Sequence, residues 1–131
     1  MGVTVLLDTH VLLWSLASPD RLSPLAITLL EDRETEVLVS AVSAWEIATK
    51  YRLGRLPQGK RLVAGFTDHV ARLGARELCV TSKHALAAGL FSVDHRDPFD
   101  RMLAAQSIAE GVPLLTRDAA LDRFPGLLTR W

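Results

Sequence analysis

The run Val3-Thr4-Val5-Leu6-Leu7 shows no alternation of apolar and polar residues. Successive side chains of a strand point to opposite faces, so this run offers an apolar surface on both sides. Such a strand is stable only when both faces are covered, as in a parallel sheet packed between helices. A second run of the same kind, Val112-Pro113-Leu114-Leu115-Thr116, lies towards the other end of the chain. Glu36-Val37-Leu38-Val39 and Glu77-Leu78-Cys79-Val80 read as two further strands between them.

The intervening stretches have helical period and helical punctuation. "THVLLWSLA" is closed by Ser18-Pro19, and "SPLAITLLEDR" opens with Ser23 as cap and Pro24 in the first turn. "VSAWEIATKYRL" stops at Gly54, and "KRLVAGFTDHVARLG" reads as one helix ending at Gly74. "SKHALAAGLF" is helical, and "PFDRMLAAQSIAEG" is the longest amphipathic stretch, stopped by Gly111. "DAALDRF" reads as a short helix and Leu127-Leu128-Thr129 as an edge strand. Strands alternating with helices specify an α/β domain, with a central, mainly parallel sheet of four to five strands and helices on both faces. The 131 residues contain no repeat or linker, and at 49% hydrophobic they can fill one core, so residues 1–131 are expected to form a single domain.

Composition removes several classes of function. The first apolar run is five residues long and meets Asp8, too short for a signal peptide or a membrane span. The single cysteine, Cys79, excludes an intrachain disulfide and a cysteine-built zinc site, and suits a reducing cytoplasm. Fifteen Lys and Arg balance fifteen Asp and Glu, so any attraction for nucleic acid must come from local patches.

Ligands of an open α/β sheet bind beyond the carboxyl ends of the strands. Four acids fall there. Asp8 follows the first strand, Glu46 lies in the first turns of the helix after the second, Asp100 opens the long helix, and Asp118 follows the fourth strand. Each also has a purely structural explanation. Asp8 and Asp118 suit N-caps, Ser43-Ala44-Trp45-Glu46 matches a capping box, and Asp97-Pro98-Phe99-Asp100 has the same spacing. As a set they are harder to explain that way. Two unit charges about 4 Å apart repel by roughly 4 kcal/mol at an effective dielectric near 20. Carboxylates sharing one crevice need raised pKa values or a bound cation. Oxygen ligands without companion Cys or paired His favour Mg²⁺ or Mn²⁺, which can activate water against a phosphodiester.

The segments "LLDTHVLLW", "VSAVSAWEIATKYRLGRL", "HRDPFDRMLAAQ" and "PLLTRDAALDRF", which carry these four acids in order, resemble a PIN domain of the VapC type, the toxin ribonuclease of a type II toxin–antitoxin pair. The resemblance spans nearly the whole chain. It implies an α/β/α sandwich, a divalent-metal site of Mg²⁺ or Mn²⁺ built from Asp8, Glu46, Asp100 and Asp118, and endonucleolytic cleavage of RNA. It also implies inhibition by a small antitoxin protein, a homodimer and a larger complex with the antitoxin. Asp8 and Asp100 correspond to the leading metal ligands, Glu46 to a ligand or water-orienting group, and Asp118 to the fourth acid. Thr9, Ser43 and Thr116 sit beside the acids, where they can bind a carboxylate or metal water or serve as turn hydroxyls.

Other residues divide between function and structure. Lys50, Arg52, Arg55, Lys60 and Arg61 form a basic cluster that either complements a helix end or tracks phosphates beside the acids. Arg96, Arg101 and Arg117 alternate with the acids and can either neutralise them or hold RNA, Arg101 and Arg117 being the better candidates because they neighbour Asp100 and Asp118. His95 lies in a loop without a second histidine at ligand spacing, and His10, His69 and His84 read as solvated or packed. Trp14, Trp45 and Phe99 read most simply as core aromatics, with base stacking by Trp45 the lesser alternative because a stacking platform needs an exposed ring. A non-catalytic binding module of the same fold is the main alternative, although it has no use for four mutually repelling acids. Phosphorylation of Asp8 is a third reading, weakened by the lack of an Asp-x-Asp pair and of a Gly-rich phosphate loop.

Asp97 and Asp100 separate the structural and chemical explanations. Asp97→Asn is expected to lower stability while leaving metal-dependent cleavage intact. Asp100→Asn is expected to abolish cleavage while leaving the fold intact, with denaturant melts and RNA cleavage assays as the paired measurements.

Overall fold

A computed structural model describes residues 2–131. Its sheet has five strands, all parallel, in the order β3-β2-β1-β4-β5. The strands are β1 (Thr4–Leu7), β2 (Glu36–Ser40), β3 (Arg76–Leu78), β4 (Leu114–Leu115) and β5 (Thr129–Arg130). The helices are α1 (Thr9–Ala17), α2 (Pro24–Glu31), α3 (Ala41–Arg52), α4 (Gly59–Ala64), α5 (Phe66–Arg72), α6 (Ser82–Leu90) and α7 (Pro98–Glu110). Short 3₁₀ turns occupy Pro19–Arg21 and Ala119–Arg123.

The lack of alternation in the strands has the expected cause. Val5, Leu7, Val37, Val39 and Leu115 pack on one side of the sheet with Val11 and Leu12 of α1, Ala26 and Leu29 of α2, Ile47, Leu62 and Val70. Leu6, Leu38 and Leu114, which the register places in one row, pack on the other side with Leu103, Ala104, Leu121 and Phe124. Two separate apolar layers enclose the sheet, so β1 needs aliphatic residues at successive positions, Val5, Leu6 and Leu7.

The sheet order also locates the crevice. The chain runs outward from β1 through β2 to β3, then returns to place β4 on the other side of β1. The carboxyl ends of β1 and β4 therefore flank the point where the winding reverses.

Local chemistry sets most helix ends as expected. Ser23 Oγ accepts the Ala26 amide, with Pro24 at the first helical position. Asp97 Oδ1 accepts the Phe99 and Asp100 amides at 2.9 and 3.2 Å. Gly111 adopts φ 67° to end α7, a conformation that costs other residues strain.

Five expectations are corrected. The stretch from Lys60 to Gly74 is two helices, broken at Gly65, which ends α4 and begins α5. Glycine gives little resistance to such a break. Helix α3 begins at Ala41 with Ser40 as its cap, so the proposed box between Ser43 and Glu46 does not form. β3 starts at Arg76 and is shorter than Glu77-Leu78-Cys79-Val80, and the last strand is Thr129–Arg130 rather than 127–129. Trp45 is no core residue: it is 59% exposed and stacks edge-on against Phe99, ring centres 4.8 Å apart.

Leu6 is fully buried on the central strand, whereas Leu128 is largely exposed. Leu6→Ala is expected to cost about 3 kcal/mol in urea denaturation and Leu128→Ala within about 0.5 kcal/mol.

Candidate active site

Asp8 projects from the end of β1 and is buried. Although it stands at the N-cap position of α1, its side chain caps nothing there. Its Oδ2 instead accepts the Thr116 hydroxyl at 2.7 Å, from the end of β4. The Thr116 oxygen in turn accepts the Asp118 amide at 3.0 Å, which leaves its hydroxyl proton for Asp8. Burial raises the Asp8 pKa, the Thr116 bond pulls it down, and the charge of Glu46 adds to the rise.

Glu46 comes from the second turn of α3 and is also buried. Its Oε2 accepts from Lys50 Nζ at 2.7 Å, and its Oε1 is buried with no hydrogen-bond partner. Asp100 sits in the first turn of α7, with Oδ2 2.9 Å from His95 Nε2. Burial raises its pKa to about 6; the His95 bond opposes the rise, and the charges of Asp97 and Asp8 add to it. Asp8 thus feels Glu46, and Asp100 feels Asp8, as the shared crevice requires.

The fourth acid is placed differently. Asp118 is exposed, and its Oδ1 accepts the Ala120 amide as the cap of the 3₁₀ turn. It nevertheless lines a cavity of about 310 Å³ together with Asp8, His10, Trp14 and Arg117. A second cavity, about 450 Å³, shares His10 and Trp14 and continues past Arg21, Lys50 and Arg55. An acidic end thus opens onto a groove with a basic rim.

The supporting residues sort clearly. Thr9 Oγ1 and Ser43 Oγ lie 2.8 Å apart and fully buried, tying α1 to α3 beneath the acids. Asp97 caps α7 and lies exposed. Arg117 lines the acidic cavity, whereas Arg52, exposed in the last turn of α3, lines neither cavity.

Arg101, expected to face RNA, is otherwise engaged. Its guanidinium donates to the carbonyls of Ala88, Gly89, Phe91, Val93 and His95 at 2.6–3.4 Å. It closes the carbonyl end of α6 and holds the following loop, including the backbone of His95, whose ring meets Asp100. A cation in the first turns of a helix opposes the helix dipole, an anomaly that could have pointed to a structural partner but does not say which.

Two features had no sequence signal. His10, two residues beyond Asp8, borders both cavities with its Nδ1 4.0 Å from Asp8 Oδ1. Behind the acids, Ser40 at the end of β2 donates to Gln106 Oε1, and Gln106 Nε2 reaches the Cys79 carbonyl. His84, read as solvated or packed, is buried and completes a capping box with Thr81.

The donor chemistry fits a hard divalent cation. Asp8, Glu46 and half-buried Asp100 offer only oxygen, Asp8 lies within the influence of Glu46 and Asp100 within that of Asp8, and the set includes one buried oxygen with no partner. As the side chains stand, no three His, Cys, Asp or Glu groups among the described residues close around a single point. No helix among the described residues is long and apolar enough to cross a membrane.

A match to the PIN domain family model over residues 5–127 accords with this fold and acid arrangement. Ribonuclease VapC22 of Mycobacterium tuberculosis (strain ATCC 25618 / H37Rv) is 34% identical over 133 aligned positions, covering 98% of both chains. The chain belongs to the PIN domain family, and within it to the VapC type. Among solved structures, VapBC2 from Rickettsia felis, bound to a DNA fragment from its promoter, superimposes with a TM-score of 0.70 at 15% identity, over 98% of each chain. A toxin–antitoxin complex from Klebsiella pneumoniae gives a TM-score of 0.58 at 14% identity, over 97% of this chain and 98% of the other. At these identities the superpositions establish the fold.

The raised carboxylates make the metal-free chain pH-sensitive. The folded chain holds the Asp100 proton more tightly than the unfolded chain, with a pKa of about 6 against 3.8. Its ionisation penalty is absent below about pH 4 and fully present above about pH 6, so stability falls as pH rises through that window. In EDTA, Asp100→Asn is expected to stabilise the fold by about 1–2 kcal/mol at pH 7 and hardly at all at pH 4, compared with wild type by urea denaturation.

Proposed function

We propose that the chain is a divalent-metal-dependent endoribonuclease and the toxin of a toxin–antitoxin pair. The observation that carries this reading is the set of three acids from separate elements, buried Asp8 and Glu46 and half-buried Asp100, where Glu46 acts on the charge of Asp8 and Asp8 on that of Asp100 at the reversal of the sheet winding. The full-length likeness to Ribonuclease VapC22 supports the substrate class. Asp8, Glu46 and Asp100 would hold Mg²⁺ or Mn²⁺, with Asp118 at the mouth of the same cavity. Such a cation supplies positive charge to the phosphodiester and acidifies water held beside it.

The chain's own residues do the positioning. Thr116 fixes the orientation of Asp8 and favours its ionised form, and His95 does the same for Asp100. Arg101 secures the loop that presents His95. Arg21, Arg55 and Arg117 line the groove, where they offset the repulsion between the acids and an RNA backbone. A small antitoxin is the corresponding protein partner, in keeping with the likeness to the Klebsiella pneumoniae toxin–antitoxin complex, and action as a homodimer in the cytoplasm belongs to the same reading.

The test is cleavage of a panel of structured RNAs with Mn²⁺ and with EDTA, alongside Mn²⁺ titration calorimetry. Wild type is expected to cut only with metal, and Asp8→Asn to lose at least 100-fold in rate. Thr116→Val, which leaves Asp8 without its donor, is expected to weaken Mn²⁺ binding 10- to 100-fold and to recover cleavage at high Mn²⁺. Equal cleavage by wild type and Asp8→Asn would remove the reading.

A further inference from the structure

Lys50 borders two environments at once. Its ammonium donates to Glu46 Oε2 at 2.7 Å, one helical turn away, where the Glu46 side chain is 3% exposed and that of Lys50 28%. The same residue lines the 450 Å³ cavity with Arg21 and Arg55. Surface pairs at this spacing contribute little, because water screens both partners. Here one partner is buried, and its second oxygen has no donor, so Lys50 is the only hydrogen-bond donor to the Glu46 carboxylate among the described residues. A buried carboxylate without a counter-charge is unfavourable, and the metal-free chain therefore needs this ammonium.

A divalent cation and an ammonium compete for the same carboxylate. A dication approaching Asp8, Asp100 and Glu46 neutralises Glu46 and repels the ammonium 2.7 Å from it. The flexible four-carbon stem of lysine lets the head group move without displacing α3. The space open to it is the cavity that Lys50 already lines, whose other cations are arginines suited to phosphate.

We infer that Lys50 is a displaceable counter-ion, which neutralises Glu46 in the metal-free chain and is handed to a substrate phosphate when the metal site fills. Metal loading would thereby add one cation to the nucleic-acid groove, coupling the two binding events. The inference rests on the proposed metal site and polyanionic substrate, not on cleavage, and its test does not depend on turnover.

The full chain is titrated with Mn²⁺ alone by calorimetry, as wild type, Lys50→Met and Lys50→Arg. Lys50→Met is expected to bind Mn²⁺ about tenfold more tightly, because the competing ammonium is gone, and Lys50→Arg to stay within about threefold of wild type. A fluorescein-labelled single-stranded DNA then serves as a phosphate backbone without a 2′-hydroxyl, its affinity followed by anisotropy across salt concentrations. With saturating Mn²⁺, the slope of log affinity against log salt is expected to be shallower by about one in Lys50→Met than in wild type. In EDTA the two slopes are expected to coincide, since Lys50 is then held by Glu46.

Unchanged or weaker Mn²⁺ binding by Lys50→Met overturns the counter-ion role. Equal slopes with Mn²⁺, or the same difference in EDTA as in Mn²⁺, overturn the hand-over. Should Lys50→Met fail to fold, by its thermal melt, Lys50→Gln takes its place, removing the charge while keeping a donor. A wild type that binds Mn²⁺ yet cuts no RNA would overturn the proposed function and leave these comparisons fully decisive.

Discussion

The hydrogen bond from Thr116 to Asp8 joins residues 108 positions apart, at the ends of the two strands between which the sheet reverses its winding. It holds a buried carboxylate in one orientation while burial works against that carboxylate's charge. The other acids are arranged around it. Glu46 reaches the crevice because Ser40 starts α3 directly at the end of β2, and Asp100 because Asp97 starts α7 one turn earlier. The Thr9–Ser43 pair fixes the helices that follow β1 and β2 against each other. The site is thus a product of where helices begin, and helix beginnings are set by single hydroxyls and carboxylates.

That dependence explains what could be read from the residues. The unalternating apolar runs announced a parallel sheet covered on both faces, and the two faces of β1 bear that out in separate apolar layers. The Asp97-Pro98 cap was legible because its chemistry is local, and it placed Asp100 one turn in. Long-range geometry was not legible in the same way. A cation at the start of α7 marks Arg101 as unusual, but nothing adjacent to it names the carbonyls ending α6 as its partners, since those lie 6–13 residues earlier in the chain. Trp45 looked like a core residue because its type favours burial, yet the inward faces of α3 are filled by Val42, Ser43, Glu46 and Ile47, leaving the ring outside. The Ser43–Glu46 spacing matched a capping box, but Ser40 supplied the competing cap three residues earlier.

The two aspartates of "HRDPFD" show how burial turns similar residues into different ones. Asp97 lies exposed and satisfies two amides. Asp100 turns inward to His95, where desolvation brings its proton affinity close to neutral pH. Stability and chemistry conflict at Asp100 and Asp8 in the absence of a cation.

The sheet margins set a limit on how this chain can associate. One edge is β3, a three-residue strand carrying exposed Arg76 and Glu77, and the other is β5, two residues long. Charged or very short edges offer a poor template for a further strand. Growth of the sheet into a neighbouring molecule is therefore disfavoured from both sides. Any partner must be met through helices, loops and the groove, so recognition by this molecule is a matter of side chains rather than of shared backbone ladders.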